Sequence, residues 1–277
     1  MWRTAIIALG LSLVACGRPA NRSSAASTAP LGPPRRAEDG AWPAASGERG
    51  HAASGPARRS VEPPRTPHEF AAAKKHLRKL YDEGTWHTLY AGCAFSAWRI
   101  DWTSCCFPRD ASSRTGLEWE HVVPAARFGG ALAAWRDGHA SCEKRGKKYR
   151  GRRCARKTSE RFRRVEGDMH NLYPAIGALN QARGDRAMAL IEGEERAFGA
   201  CDFEVLDRQV EPRAEVRGEI ARASLYLDAA YPDLAIFDDA TRAMFEDWHG
   251  KDPPDDRERR RNAFIAEAQG NRNPWID

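Results

Sequence analysis

The sequence predicts a mixed α+β domain, a few short strands among several helices, set behind a long N-terminal extension. Three observations support this. Residues 17–65 are rich in Pro, Ala, Gly, Ser and Arg and poor in large apolar side chains, so they bury too little surface to offset their chain entropy. Beyond them, apolar residues recur at helical spacing over 66–84, 172–183, 213–230, 239–249 and 256–269. Between the first two of these runs lie aromatic and β-branched stretches broken by Pro and Gly, which fit short strands and loops. A chain of 277 residues is long enough for one such domain with tails, and it shows no internal repeat.

The extension begins with a recognisable export signal. Arg3 precedes an apolar run from Ala5 to Ala15, too short to cross a bilayer as a helix. It ends in Leu13-Val14-Ala15-Cys16, which resembles the lipobox of bacterial lipoproteins, where the cysteine becomes the lipidated N-terminus. The alternative is an ordinary cleaved signal with Cys16 incidental. Residues 1–16 are therefore expected to be a lipoprotein signal, 17–65 a disordered tether, and 66–277 the folded domain.

The domain opens on Thr66-Pro67-His68-Glu69, with a Thr cap, Pro at the first helical position and Glu placed to complete a capping box. Phe70, Ala73, Leu77, Leu80 and Tyr81 follow at helical spacing, and Gly84 ends the run. Residues 85–108 read as short strands or loops. Trp119 to Val123 reads as a strand stopped by Pro124. Leu172 to Arg183 reads as a Pro-containing turn that continues into a helix.

Charge and cysteine content narrow the function classes. Lys and Arg total 44 against 38 Asp and Glu, a net charge of +6 that suits a polyanionic partner or an anionic membrane surface. The densest basic segment, Lys144 to Arg164, holds twelve Lys or Arg and one Glu. It is either a solvated face or a surface for phosphates, and Tyr149 and Phe162 interleaved in it favour the second. Setting Cys16 aside leaves six cysteines, an even number that suits an oxidising compartment.

The chemistry centres on EWEHVVPAARFG (Glu118 to Gly129) and DMHNLYPAIGALN (Asp168 to Asn180). Hydrolysing a phosphodiester requires a base for water, a counter-charge for the phosphate and stabilisation of the leaving oxygen. A neutral histidine suits the first task, and a divalent ion on oxygen ligands suits the other two. Glu120, His121 and Asn171 supply these types. Adjacent residues on a straight strand face opposite ways, so Glu120 and His121 share a site only if the strand bends or ends there. Asn171 alternatively caps the turn before Pro174, and His170 is expected to support the loop.

EWEHVVPAARFG, WRDG (135–138), GDMHNLYPAIGALNQARG (167–184), RGEIARASLYL (217–227) and QGNRNPW (269–275) occur in one order. Together they resemble the bacterial endonuclease I family, periplasmic and secreted nucleases of the His-Me finger (ββα-metal) type, over residues 68–275. The resemblance implies non-sequence-specific cleavage of DNA, with RNA as a second substrate, leaving 5′-phosphate ends. By position, His121 is the implied general base, and Glu120 and Asn171 the ligands of one Mg²⁺. Asn180 is expected to bond the backbone of the histidine loop and to support the site together with Arg183, and Glu118 to make a structural ion pair.

The sequence departs from the family where many members carry a phosphate-stabilising Arg after the WxDG block. Ala140 stands there, and Arg136, Lys144 and Arg145 are the candidate substitutes. Lys147, Lys148 and Arg150 join these as expected phosphate contacts. For the six cysteines, a zinc site is disfavoured because no CxxC pair is present. The expected disulfides are Cys93–Cys105, Cys106–Cys201 and Cys142–Cys154, the last closing a single basic loop. The expectation is a monomeric, lipid-anchored, Mg²⁺-dependent nuclease. A catalytically impaired DNA-binding lipoprotein is the rival reading, resting on Ala140 alone.

Overall fold

The computed structural model describes residues 59–109, 114–193 and 196–277. The lipobox with Cys16 and residues 17–58 of the expected tether lie outside the described residues. All described residues belong to one unit, 50–277. Residues 59–65, expected to be tether, lie on the domain. Arg59 donates to the Pro274 carbonyl at 2.8 Å, and the Glu62 carbonyl accepts from Asn271 at 2.8 Å.

Helix α1 spans Phe70–Tyr81 and buries Ala73, Leu77, Leu80 and Tyr81, the stripe its periodicity predicts. It starts later than the Thr-Pro capping signal implies. Glu69 stands at its N-cap without a side-chain cap, and the Thr66 N–H instead bonds the Gln269 carbonyl at 3.1 Å. Strands β1 (Trp86–His87), β2 (Ala94–Ser96) and β3 (Arg99–Ile100) form a small antiparallel sheet in the aromatic stretch. Strand β4 (Leu117–His121) is followed by the short helices α2 (Ala125–Gly129) and α3 (Ala133–Arg136). The basic segment folds as a hairpin, β5 (Glu143–Lys144) and β6 (Lys147–Lys148), and then as α4 (Arg152–Thr158) and α5 (Glu160–Glu166).

Strand β7 (Leu172–Ile176) pairs antiparallel with β4, Glu120 opposite Tyr173 and His121 opposite Leu172, and runs directly into α6 (Gly177–Arg183). The Pro-containing turn expected here is thus a strand. Pro174 is tolerated because a two-stranded sheet leaves every strand with a free edge. A second three-stranded sheet was not legible as strands in the sequence: β8 (Ala187–Met188), β9 (Phe203–Leu206) and β10 (Gln209–Pro212), ordered β8-β10-β9. Helices α7 (Arg217–Ala230), α8 (Asp239–Lys251) and α9 (Asp256–Gln269) complete the domain close to their expected positions.

Helix α7 is buried on nearly every face, so its charges need partners. Arg222 forks onto Glu258 of α9 at 2.7 and 2.6 Å, and Asp228 receives Arg242 of α8 at 2.7 Å. The three expected disulfides are present, Cys93–Cys105, Cys106–Cys201 and Cys142–Cys154. The Cys142–Cys154 bond ties the base of the basic hairpin to α4.

Candidate active site

The site is assembled from the end of β4, the middle of α6 and one face of α4. Asp168 organises the segment that feeds it. Its buried carboxylate accepts from the His170 N–H, from Gln269 and from the hydroxyls of Tyr226 and Tyr231, at 2.8–3.1 Å. This pins the 3₁₀ turn Met169–Asn171. Gly167, two residues before Met169, passes so close to the segment leading into α1 that a Cβ there would sit 1.9 Å from the His68 carbonyl oxygen.

Asn171 then reaches across to the histidine loop. Its Oδ1 accepts from the Val123 N–H at 2.7 Å and its Nδ2 donates to the Val123 carbonyl at 2.9 Å. It is fully buried, and it does not line the cleft into which His121 faces. Both ends of its amide bond backbone, so Asn171 shapes the loop, and the ligand role expected of it has no support in this geometry. Asn180 departs from its expected contact. It lines the cleft and donates from Nδ2 to Glu118 Oε2 at 3.2 Å, not to the histidine loop.

The bend required between Glu120 and His121 is met by ending the strand. β4 stops at His121, Val122 N–H bonds the Asn171 carbonyl at 3.1 Å, and Pro124 starts α2. Glu118, Glu120 and His121 all line one cleft of about 500 Å³, with Asn180, Arg152 and Arg156. The imidazole is held from two sides. Its Nε2 lies 2.9 Å from the Glu166 carbonyl, and the Phe70 ring packs 4.9 Å from it. A carbonyl only accepts, so Nε2 carries the proton and Nδ1 is the nitrogen with the lone pair. Burial and the neighbouring Arg152 lower its pKa to about 4, so the ring is neutral at pH 7.

Glu120 is buried beside it. Tyr90 donates to its Oε1 at 2.6 Å, and Arg183 Nε stands 3.5 Å from the same oxygen. Burial raises its pKa to about 6, while Arg183 and Tyr90 favour the ionised form. Arg183 also donates to the Val122 carbonyl at 2.5 Å, so it braces the histidine loop and the acid together.

The donor set suits a hard cation. Glu120 and Asn180 offer oxygen, no cysteine lines the cleft, and the His121 imidazole has one nitrogen committed to backbone. Among the described residues no cluster of three His, Cys, Asp or Glu side chains is assembled for a metal. An ion here would thus have few protein ligands and retain much of its water, as Mg²⁺ does.

The expected phosphate contacts separate into two groups, and neither lines the cleft. Arg136 donates to the Gly130 and Ala131 carbonyls at 3.0 and 2.7 Å, which commits it to the α2–α3 turn. Lys144, Arg145, Lys147 and Lys148 are exposed on the hairpin and Arg150 follows it, all outside the cleft lining. The cations that do line the cleft are Arg152 and Arg156. Both pair with buried Glu166, at 2.7 and 2.5 Å, and both remain over two-fifths exposed. They are four residues apart on α4, a spacing that places both on one helix face and was readable in the basic segment. Glu166 and Phe70 carried no such signal.

A family model described as Endonuclease I matches residues 71–277. An extracellular deoxyribonuclease of Aeromonas hydrophila is 40% identical over 218 residues, 75% of this chain and 87% of that protein. A periplasmic deoxyribonuclease of the same organism is 39% identical over 218 residues, covering 75% and 85%. The extracellular ribonuclease of Bacillus subtilis (strain 168) is 36% identical over 126 residues, covering 40% and 43%.

Proposed function

Because the chain belongs to the endonuclease I family, we propose that it is a Mg²⁺-dependent, non-sequence-specific endonuclease acting on DNA outside the cytoplasm. RNA is its second substrate, in keeping with the ribonuclease relative. Products carry 5′-phosphates. The observation that carries this reading is the fixed, neutral imidazole of His121, with Nε2 spent on the Glu166 carbonyl, beside the oxygen donors Glu120 and Asn180.

His121 Nδ1 takes the proton of the attacking water. Its low basicity is offset by its orientation, since the Glu166 carbonyl and the Phe70 ring leave the imidazole one direction to face. Glu120 and Asn180 would hold the ion, in place of the Glu120 and Asn171 pair expected from sequence, and Mg²⁺ bound there would supply counter-charge for the phosphate and the leaving oxygen. Arg152 and Arg156 bring two guanidinium groups to the same cleft, where they stand in for the cation missing at Ala140. The exposed hairpin lysines meet the backbone at a distance from the reacting phosphate.

Nicking of supercoiled plasmid by the purified chain tests this. Nicked and then linear DNA is expected with Mg²⁺, and intact plasmid after exhaustive chelation. Undiminished nicking after chelation overturns the cofactor, and no nicking under any divalent cation overturns the nuclease.

A further inference from the structure

We propose that Glu118 is a positioning residue, whose carboxylate turns the Asn180 amide so that Oδ1 and not Nδ2 faces the ion position beside Glu120. This rests on the reading of Glu120 and Asn180 as the metal-holding pair.

The placement follows from strand geometry. Glu118 and Glu120 are two residues apart on β4, so their side chains share one face of the sheet, and both line the cleft. Glu118 is held at both oxygens. Oε1 meets Arg114 at 2.5 Å, and Oε2 accepts from Asn180 Nδ2 at 3.2 Å. Its seat is also built into the backbone. Gly177, the first residue of α6, lies against the carboxylate, and a Cβ there would stand 2.9 Å from both its carbon and Oε1. A side chain in that position would push Glu118 away from the helix that carries Asn180.

The chemical consequence concerns the amide. An asparagine side chain has two nearly isosteric orientations, one presenting oxygen and the other NH₂. A cation accepts only the first. A carboxylate only accepts hydrogen bonds, so the end of Asn180 facing Glu118 must be Nδ2. The opposite end, Oδ1, is thereby aimed away from Glu118. A contact serving only to join β4 to α6 has no such requirement and leaves the ligand orientation to chance.

The test is direct metal binding without DNA, using Mn²⁺ as the probe in a calorimetric titration, with thermal melting to confirm folding of each variant. Glu118→Ala is expected to weaken Mn²⁺ binding by about 10- to 100-fold, the range for outer partners of metal ligands. Glu118→Gln, which retains an acceptor, is expected to restore part of that loss. In an Asn180→Asp background the two side-chain oxygens are equivalent and need no orienting, so adding Glu118→Ala is expected to cost nothing further. An equal loss in both backgrounds overturns the proposal, because Glu118 then acts by its charge. Unchanged Mn²⁺ binding in Glu118→Ala, with binding lost in Asn180→Ala and Glu120→Ala, also overturns it and leaves the metal pair standing. Wild-type Mn²⁺ binding in Asn180→Ala and Glu120→Ala removes the metal pair itself.

Discussion

Asn171 grips the backbone of Val123 at both its N–H and its carbonyl, 48 residues away in sequence, at 2.7 and 2.9 Å. This pair of hydrogen bonds fixes the chain where β4 ends and His121 turns into the cleft. Asn171→Ala leaves two buried backbone groups unpaired, at a cost of about 1–3 kcal/mol each. The expected result is a lower urea midpoint together with slower cleavage, while Mn²⁺ affinity in the folded protein is retained. Loss of metal binding with unchanged stability would return Asn171 to the ligand role.

His170 makes stability depend on pH. It is fully buried, its ring packs tilted 4.3 Å from that of Tyr226, and burial lowers its pKa to about 3, with Arg261 acting in the same direction. The unfolded chain therefore takes up a proton near pH 6.5 that the folded chain refuses. Its contribution is complete above that pH and declines as pH falls towards 3, at about 1.4 kcal/mol per unit. Between pH 7 and 5 the wild type is expected to lose about 2 kcal/mol more stability than His170→Gln. Equal losses in paired urea titrations would show that this histidine is protonated in the fold.

The basic hairpin is expected to govern salt dependence. Lys144 lies directly opposite Lys147, a like-charge pair that disfavours the hairpin until an anion joins it. Replacing Lys144, Lys147 and Lys148 by Gln should reduce the slope of log affinity against log salt by about 0.9 for each phosphate that the hairpin no longer neutralises. The weakening should be uniform across DNA sequences, and the single-turnover rate at saturating DNA should hold. An unchanged slope would make the hairpin a solvated face.

The distribution of legible and illegible features has a physical basis. Helices α1, α7, α8 and α9 were readable because apolar residues repeat at helical spacing over eleven or more residues. Strands β8, β9 and β10 were not, since two to four residues contain too little alternation. Strand β7 was hidden by Pro174, whose missing N–H matters only in a strand paired on both sides. At the site, Glu120 and His121 were legible as a pair. Which of Asn171 and Asn180 lines the cleft was not, because both are Asn in one motif, and only the fold shows which amide is spent on Val123. The spacing of Arg152 and Arg156 was readable but their role was not, since ten other cations share their segment, and Glu166 enters through a backbone carbonyl, which no residue type announces.

Anchoring is open to a separate test. Replacing Cys16 by Ser should move the protein from the membrane fraction to the soluble exported fraction with its nuclease activity intact. Retention in the membrane fraction would exclude lipidation at that residue.

The most direct test of the central claim is single-turnover cleavage of a DNA duplex by His121→Ala, measured beside its affinity for the same duplex. Removing a general base is expected to slow cleavage by about 10²- to 10⁴-fold with duplex binding retained. Cleavage at the wild-type rate in that variant would contradict the account.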